Sequence, residues 1–501
     1  IQYKRVVKVF GKPHAKIMFH SHEQARDMLR RLSQFCIDRK KIYINQAHDS
    51  RIKYVTPKVS DKRIEDVTTP WWDIPYPEQV EKKHEKAIDI LSRTGKSAIK
   101  SNAEMMSNIA WVDALNTRAM DQDRYPPMCK FTGVEPAPIQ IGYRNKISFT
   151  IGHNAVDQVT IGFVMGKFKE GIVHLGDPSG AVNSPVHPTA LHLRQLYEEY
   201  LRSESKLPVF NRITQVGFWR GLEIRTFNSC ENSLTFQVEP TAASEDQIED
   251  EIGKLVQILV LNPQYKKNTS IFFQEWKKNA GAPNNDDIPR LAYGKSYIHE
   301  NLNIQGSKPL SFRVQPTAFF QTNTSSCEIL YNKIVEQCKD MQPNGEKLTV
   351  LDICCGTGTI GLCIASAVPD STVYGIDLIE SAVQDAIHNS KLNNIQSANY
   401  MVGDVRHKIK QITQQIDASS PCIAIVDPPR AGVHPAVIKA LASCTRIDRL
   451  IYVACNPDTI EGFVTKLAGS FKPKTSFAVD MFPHTAQMEM VVCLDRINSK
   501  E

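Results

Sequence analysis

The 501-residue chain holds 12 Cys but no C-x-x-C pair, which argues against a zinc ribbon, an iron–sulfur cluster and a thioredoxin-like redox site. It also lacks long apolar runs. The longest are a few residues, such as 422–426, so nothing in it is built to span a bilayer as a helix. Its 25 Gly and 28 Pro form no repeat and no low-complexity tract, which rules out collagen and wholesale disorder. There is no initiating Met and no charged-then-apolar leader; the expectation is that the true N-terminus, with any targeting signal, lies upstream of Ile1.

What is present is ordinary globular composition, 42% apolar and 23% charged. The length suits about three domains, each large enough for its own core. Adjacent Cys354 and Cys355 fit a reducing compartment better than a disulfide scaffold. The expectation is an intracellular, soluble, multidomain monomer, cytoplasmic and also nuclear. The charge is unevenly spread. Residues 1–50 carry eleven Lys/Arg against four Asp/Glu, an excess of seven in a chain whose whole net charge is +6. Concentrated positive charge attracts a polyphosphate backbone through counterion release. A solvated face is the plainer alternative.

Four segments follow from the patterning. Residues 1–50 read strand, strand, helix, strand over 3–10, 15–19, 21–35 and 41–45, with Ser21 and Gln24 as a capping box. This resembles the second half of an RNA-recognition motif. His14 and Lys16 stand where stacking aromatics are expected and only Phe19 remains, which suggests a partner- or phosphate-binding remnant. Residues 51–130 read as linker, Pro-rich over 68–78, and a helical segment near 88–91; Trp71–Trp72 are expected to cap the core of the next domain. Residues 131–340 are β-rich, with strands over 141–152, 159–168, 215–227 and 233–238. There Arg144, Lys146, Arg220 and Arg225 alternate with Tyr143, Phe149, Phe218 and Trp219. That alternation fits an RNA platform, or equally a half-buried strand with solvated charges. Residues 341–501 alternate strand and helix, the signature of a doubly wound α/β sheet. Its expected strands are 348–354, 373–378, 399–402, 422–426, 450–454, 476–482 and 489–494, the last two an antiparallel hairpin at one edge.

The chemistry concentrates at the ends of those strands. The first runs into Asp352-Ile-Cys-Cys-Gly356-Thr-Gly358-Thr-Ile-Gly361, a turn that lets the backbone lie close under a nucleotide-like ligand. Asp377 ends the second strand, placed to accept ribose hydroxyls, and Gly403-Asp404 ends the third, near an adenine amino group. A lone G-x-G-x-x-G also fits a dinucleotide dehydrogenase. Three acidic strand ends in succession shift the reading toward S-adenosylmethionine. The fourth strand ends in Asp427-Pro-Pro-Arg430-Ala-Gly, where Arg430 replaces the aromatic of amino-methyltransferases and the Cys of cytosine-5 methyltransferases. The fifth ends in Cys455-Asn-Pro457. A Cys there, ahead of a helix N-terminus, is expected to have a lowered pKa and an exposed sulfur. Phe482-Pro-His484-Thr485-Ala-Gln-Met-Glu489 then turns a His and a Glu toward the same crevice, the Glu a satisfied turn carboxylate or a catalytic base.

Together the stretches 142–149, Phe319-Phe-Gln321-Thr-Asn323, the glycine loop, 427–432, Cys455-Asn-Pro and 482–489 resemble the S-adenosylmethionine-dependent RNA (uracil-5-)-methyltransferases of the TrmA/RumA type. The resemblance implies a class I methyltransferase sheet, tRNA as partner, Cys455 as nucleophile and Glu489 as base. It implies that Gln321, Cys354, Thr359, Asp377 and Asp427 line the donor and uracil pocket, and that uridine 54 of the T-loop is the target. The cluster-binding cysteines of the rRNA branch are absent, which favours tRNA and no metal cluster. Uracil C5 is a poor nucleophile until a thiolate adds at C6, and the C5 proton must then be removed to expel the thiol. The target base must also be everted into the crevice. The alternatives are a nicotinamide oxidoreductase, a mitochondrial tRNA or rRNA uracil-5 methyltransferase, and an RNA-binding or RNA-folding protein with a decayed site.

Overall fold

The computed structural model describes residues 5–8, 15–18, 24, 28, 36–37, 40–41, 58–101, 127–276, 288–342, 345–414, 416 and 420–497. Residues 1–58 with 167–173 form one compact unit, and 59–166 with 174–501 a second. In the first, β1 (Arg5–Lys8) pairs antiparallel with β2 (Ala15–Met18), and β3 (Cys36–Ile37) with β4 (Lys40–Lys41). His14, Phe19 and Ser21, with most of the expected helix over 21–35, lie outside the described residues.

The second unit opens with α1 (Ile64–Thr68) and α2 (Tyr76–Ser101). Along α2 the buried residues are Gln79, Lys83, Ala87, Ile90, Leu91, Thr94, Gly95 and Ala98, the three-to-four spacing of an amphipathic stripe. Its apolar part, Ala87, Ile90 and Leu91, joins a core with Leu351, Ile353 and Leu450. The Pro-rich stretch 68–78 does not hang as a linker. Thr69 is fully buried, and the Trp71 and Ile74 carbonyls both accept from Gln79 Nε2, at 3.1 and 2.7 Å.

After β5 (Lys130–Glu135) come β6 (Lys146–His153), β7 (Val159–Val164), β8 (Leu175–Gly176), α3 (Pro188–Ser203), β9 (Trp219–Thr226), β10 (Asn232–Val238), α4 (Glu245–Val260), β11 (Thr269–Glu275) and β12 (Arg290–Tyr293). Their sheet has the order β12-β11-β10-β9-β6-β7-β8. Leu193 and Tyr197 of α3 and Ile252 and Leu255 of α4 pack on one face, against Phe149, Trp219 and Phe236. The RNA-platform reading of this sheet fails for its aromatics. Phe218 and Trp219 are fully buried and Tyr143 and Phe149 nearly so; along β9 successive residues are covered, so the strand is buried on both faces. The buried Arg225 donates to the Pro316 and Ala318 carbonyls, at 3.0 and 2.6 Å, and Lys146 pairs with Glu223 at 3.1 Å.

A hairpin of β13 (Ile298–Leu302) and β14 (Leu310–Val314) leads into α5 (Thr324–Lys339). Then follow β15 (Leu348–Ile353), α6 (Thr359–Ala367), β16 (Ser371–Asp377), α7 (Glu380–Leu392), β17 (Ala398–Val402), α8 (Val405–Thr413), β18 (Cys422–Val426), α9 (Pro435–Ser443), β19 (Arg449–Ala454), α10 (Thr459–Leu467), β20 (Phe471–Val479) and β21 (Glu489–Arg496). The strand order is β17-β16-β15-β18-β19-β21-β20-β5. β15 to β19 run parallel, and β21 is antiparallel to both β19 and β20. The β20–β21 hairpin forms as expected but is not the sheet edge, because β5 adds parallel to β20 from far upstream. This mixed α/β sheet is consistent with a class I methyltransferase fold, accompanied by a separate β-sheet layer. Strand order reverses between β15 and β18, where an open α/β sheet binds its ligand.

Candidate active site

Every strand-end residue singled out from the sequence reaches one edge of this sheet, because β15 to β19 are parallel and β21 enters where β19 leaves. After β15 the chain turns through Cys354, held at φ +62° while its amide donates to the Ile376 carbonyl at 3.0 Å. Two glycines then serve different ends. A Cβ on Gly358 would strike the Tyr400 hydroxyl at 2.7 Å, so this residue permits close packing. A Cβ on Gly356 (φ +51°) would meet nothing within 4 Å, so the space above that turn is open. Asp377 fixes the turn from β16, its two carboxylate oxygens accepting the Gly356 and Ile379 amides, each at 2.9 Å. Beside it Leu378 and Ile379 are 72% and 60% exposed, an apolar shelf facing solvent. Thr359 begins α6, its hydroxyl 3.1 Å from that of Thr357. Asp352 is buried, accepts the Gly361 amide at 3.0 Å, and leaves Oδ1 without a hydrogen-bond partner. Burial pushes its carboxyl up to about 7, with Asp427 and Asp377 adding to the shift. Asp404 is engaged otherwise: it caps α8 through the Arg406 amide at 2.8 Å and pairs with the Arg406 guanidinium, which holds it at about 2.

The second half of the site sits around Asp427, Cys455 and Glu489. Val426 pairs with Tyr452 and Ala454 with Met490, so the residues that follow or precede them emerge side by side. Asp427 is recessed, and burial pushes its carboxyl up to about 7. Glu489 is 2% exposed and its Oε2 is buried without a hydrogen-bond partner. Burial raises it to about 8, with Asp427 adding and Arg430 opposing. Cys455 is half-buried, and here the expectation of a lowered thiol pKa is overturned. Burial pushes it up to about 11, Glu489 and Asp427 add to the shift, and Arg430 opposes it. Helix α10 starts only at Thr459, too far along to outweigh burial and two facing carboxyls.

Gln321 lies in the buried segment leading to α5, where Asn145 Nδ2 donates to its carbonyl at 2.9 Å. That segment is tied to the β20–β21 turn, since Asn323 Nδ2 donates to the Met481 carbonyl at 3.1 Å. Phe319 stands 71% exposed two residues before Gln321, a ring to which the sequence alone assigns no role. Its signal was the Phe319-Phe320 pair, of which only Phe320 enters the core. His484, expected in the crevice, is buried: its amide donates to Gln79 Oε1 at 2.7 Å and its Nδ1 lies 2.9 Å from Gln79 Nε2, while its Nε2 has no hydrogen-bond partner. Burial holds its pKa below the usual histidine value. Among the described residues no group of three His, Cys, Asp or Glu is arranged to hold a metal ion, and no helix is long and apolar enough to cross a membrane.

Comparison with known proteins meets this geometry at several points. The profile of the tRNA (uracil-5-)-methyltransferase family matches residues 286–497, which include every strand end described above. The chain is 31% identical over 447 residues to tRNA (uracil-5-)-methyltransferase homolog A of Mus musculus, covering 87% of this chain and 69% of that protein. It is 29% identical over 446 residues to homolog A of Homo sapiens (87% and 68% covered) and 27% identical over 469 residues to homolog B of Danio rerio (90% and 91%). In fold it is similar to the Pyrococcus abyssi tRNA (uracil-54, C5)-methyltransferase solved with S-adenosyl-L-homocysteine, at a TM-score of 0.59 and 22% identity over 92% of this chain and 91% of that one. The chain belongs to the tRNA (uracil-5-)-methyltransferase family.

Proposed function

We propose that this chain methylates C5 of a uracil in tRNA, uridine 54 of the T-loop, with S-adenosylmethionine as methyl donor. The observation that carries the reading is the meeting of Cys455 and Glu489 at one sheet edge, beside Asp427 and the open turn at Gly356. The turn fits the donor. Asp377 is oriented by two backbone amides with lone pairs to spare for ribose hydroxyls, and Leu378 and Ile379 offer an apolar face to an adenine ring. Cys354 and Thr359 frame the turn. When bound, S-adenosylmethionine supplies a methyl group on a positively charged sulfur, an electrophile that a nucleophilic carbon takes up.

The chain's own residues make the carbon nucleophilic and restore the base. Cys455 loses its proton to solvent and its thiolate forms the S–C6 bond, while the C5=C6 electron pair moves onto C5 and O4 as an enolate. After C5 gains the methyl group, Glu489 removes the remaining C5 proton. The freed electron pair re-forms C5=C6 and breaks the C6–S bond, returning Cys455 as thiolate. Gln321 and Asp427 have the donors and acceptors to read the uracil edge, and the exposed ring of Phe319 suits a stacked base. The basic residues 1–50, a partial RNA-recognition motif on this reading, supply phosphate contacts.

Undermethylated tRNA incubated with the protein and methyl-labelled S-adenosylmethionine tests this. Label is expected in 5-methyluridine, at position 54 when mapped. Retained RNA binding without label would instead support the RNA-folding alternative.

A further inference from the structure

Helix α2 buries a glutamine and a lysine on its core face, at the end of the stripe where apolar residues are the rule. Both point at the turn between β20 and β21. Lys83 Nζ donates to Asp480 Oδ1 at 2.6 Å, both side chains being fully buried, and to the Phe482 carbonyl at 3.2 Å. Gln79 Oε1 accepts the His484 amide, so its Nε2 end lies against His484 Nδ1 at 2.9 Å, and the two protons of that amide are shared among Nδ1 and the Trp71 and Ile74 carbonyls. Tyr76 completes the set, its hydroxyl donating to Asp480 Oδ2 at 3.0 Å. Asp480 also accepts the Phe482 amide at 3.0 Å, and the Trp71 amide donates to the His484 carbonyl at 3.0 Å. His484 is held at φ +64°, a conformation a non-glycine residue keeps only when its surroundings enforce it.

This turn delivers Glu489 to the crevice. Glu489 Oε2 has no hydrogen-bond partner, so the aim of the carboxylate is set by the main chain that leads to it. We propose that Gln79 and Lys83 are positioning residues for the proton-abstraction step: α2, upstream of the family-matched residues 286–497, clamps the β20–β21 turn so that Glu489 faces the carbon Cys455 has attacked. The inference rests on the reading of Glu489 as base. It predicts that loosening the clamp slows release from the covalent adduct more than its formation.

The test compares Lys83→Met, Asp480→Asn and the double variant with wild type and Glu489→Gln, using tRNA and S-adenosylmethionine. In Lys83→Met the S-adenosylmethionine affinity stays within about twofold, while kcat falls at least about tenfold because the base is misplaced. A methylated RNA–protein adduct accumulates on denaturing gels, as in Glu489→Gln. The double variant regains part of the loss, because neither partner is left as an unpaired buried charge. If Lys83→Met does not fold, Tyr76→Phe keeps the ion pair and removes one hydroxyl; an adduct fraction above wild type is then expected. A folded Lys83→Met, or failing that Tyr76→Phe, whose adduct fraction equals wild type would overturn the clamp. Normal turnover of Glu489→Gln without adduct would overturn the base assignment instead, which keeps the two failures apart.

Discussion

Cys455 leaves β19 at the level where Glu489 enters β21: their neighbours Ala454 and Met490 are register partners in an antiparallel pair. An antiparallel strand inserted beside a parallel set brings the start of one strand to the end of another. The proposed nucleophile and base, 34 positions apart, thereby share one edge, and burial together with the carboxylate raises the thiol's affinity for its proton.

Replacing Cys455 by Ala removes the only group proposed to touch uracil C6. Methyl transfer is expected to fall by about a thousandfold or more, as for other nucleophile deletions. S-adenosylmethionine binding, measured by calorimetry, is expected to stay near wild type, since the thiol is not among the groups proposed to hold the donor. Turnover within about tenfold of wild type would remove Cys455 from the mechanism.

The pH dependence follows from the raised carboxyl. Glu489 must be ionised to accept a proton and sits at about 8. The kcat/KM of the wild type should therefore rise as pH increases from about 6 to about 9 as Glu489 ionises, and go on rising toward about 11 as the Cys455 thiol does. Arg430 holds down both Glu489 and Cys455, so Arg430→Gln is expected to move the rising limb to higher pH. A limb that stays in place in that variant would show that the guanidinium does not act on the pair.

Asp377→Ala takes away the acceptor of the Gly356 and Ile379 amides and the proposed ribose contact together. Loss of hydrogen bonds to a charged group predicts S-adenosylmethionine binding about 10- to 100-fold weaker. The melting temperature should also fall by a few degrees, because two backbone amides lose a charged acceptor. Affinity within about twofold of wild type would place the donor elsewhere.

Deleting residues 1–50 removes an excess of seven positive charges. Affinity for tRNA should drop, and the slope of log K against log salt should flatten by about 0.7 to 0.9 for each phosphate that the shortened chain leaves unneutralised. The rate at saturating RNA should survive. A lower saturated rate with an unchanged salt slope would assign this region a structural role.

The strand ends were legible because their chemistry is local: an acidic or thiol side chain at the close of a short apolar run, followed by a turn. Asp352, Asp377, Asp427 and Cys455 arrived at the expected edge for that reason, and Glu489, which opens β21 after a turn, arrived there because the hairpin runs antiparallel. The clamp was not legible, since Gln79 and Lys83 meet partners about 400 positions away and only their place on a buried helical stripe hinted at a role. The aromatics of the seven-stranded sheet misled, because β9 is buried on both faces and takes its arginines inside with its aromatics, which the alternation of residue types does not reveal. The thiol pKa misled through counting one helix N-terminus and neither the burial of Cys455 nor the two carboxyls that tertiary structure sets beside it.

Trapping in Glu489→Gln tests the division of labour between Cys455 and Glu489 most directly. The amide keeps the shape of the carboxylate and removes its basicity, so thiol addition and methyl transfer should proceed while elimination stalls. Incubated with methyl-labelled S-adenosylmethionine and tRNA, the variant should yield a labelled RNA–protein adduct that survives denaturing electrophoresis, and Cys455→Ala should yield none. Normal turnover of Glu489→Gln with no trapped adduct would contradict the account.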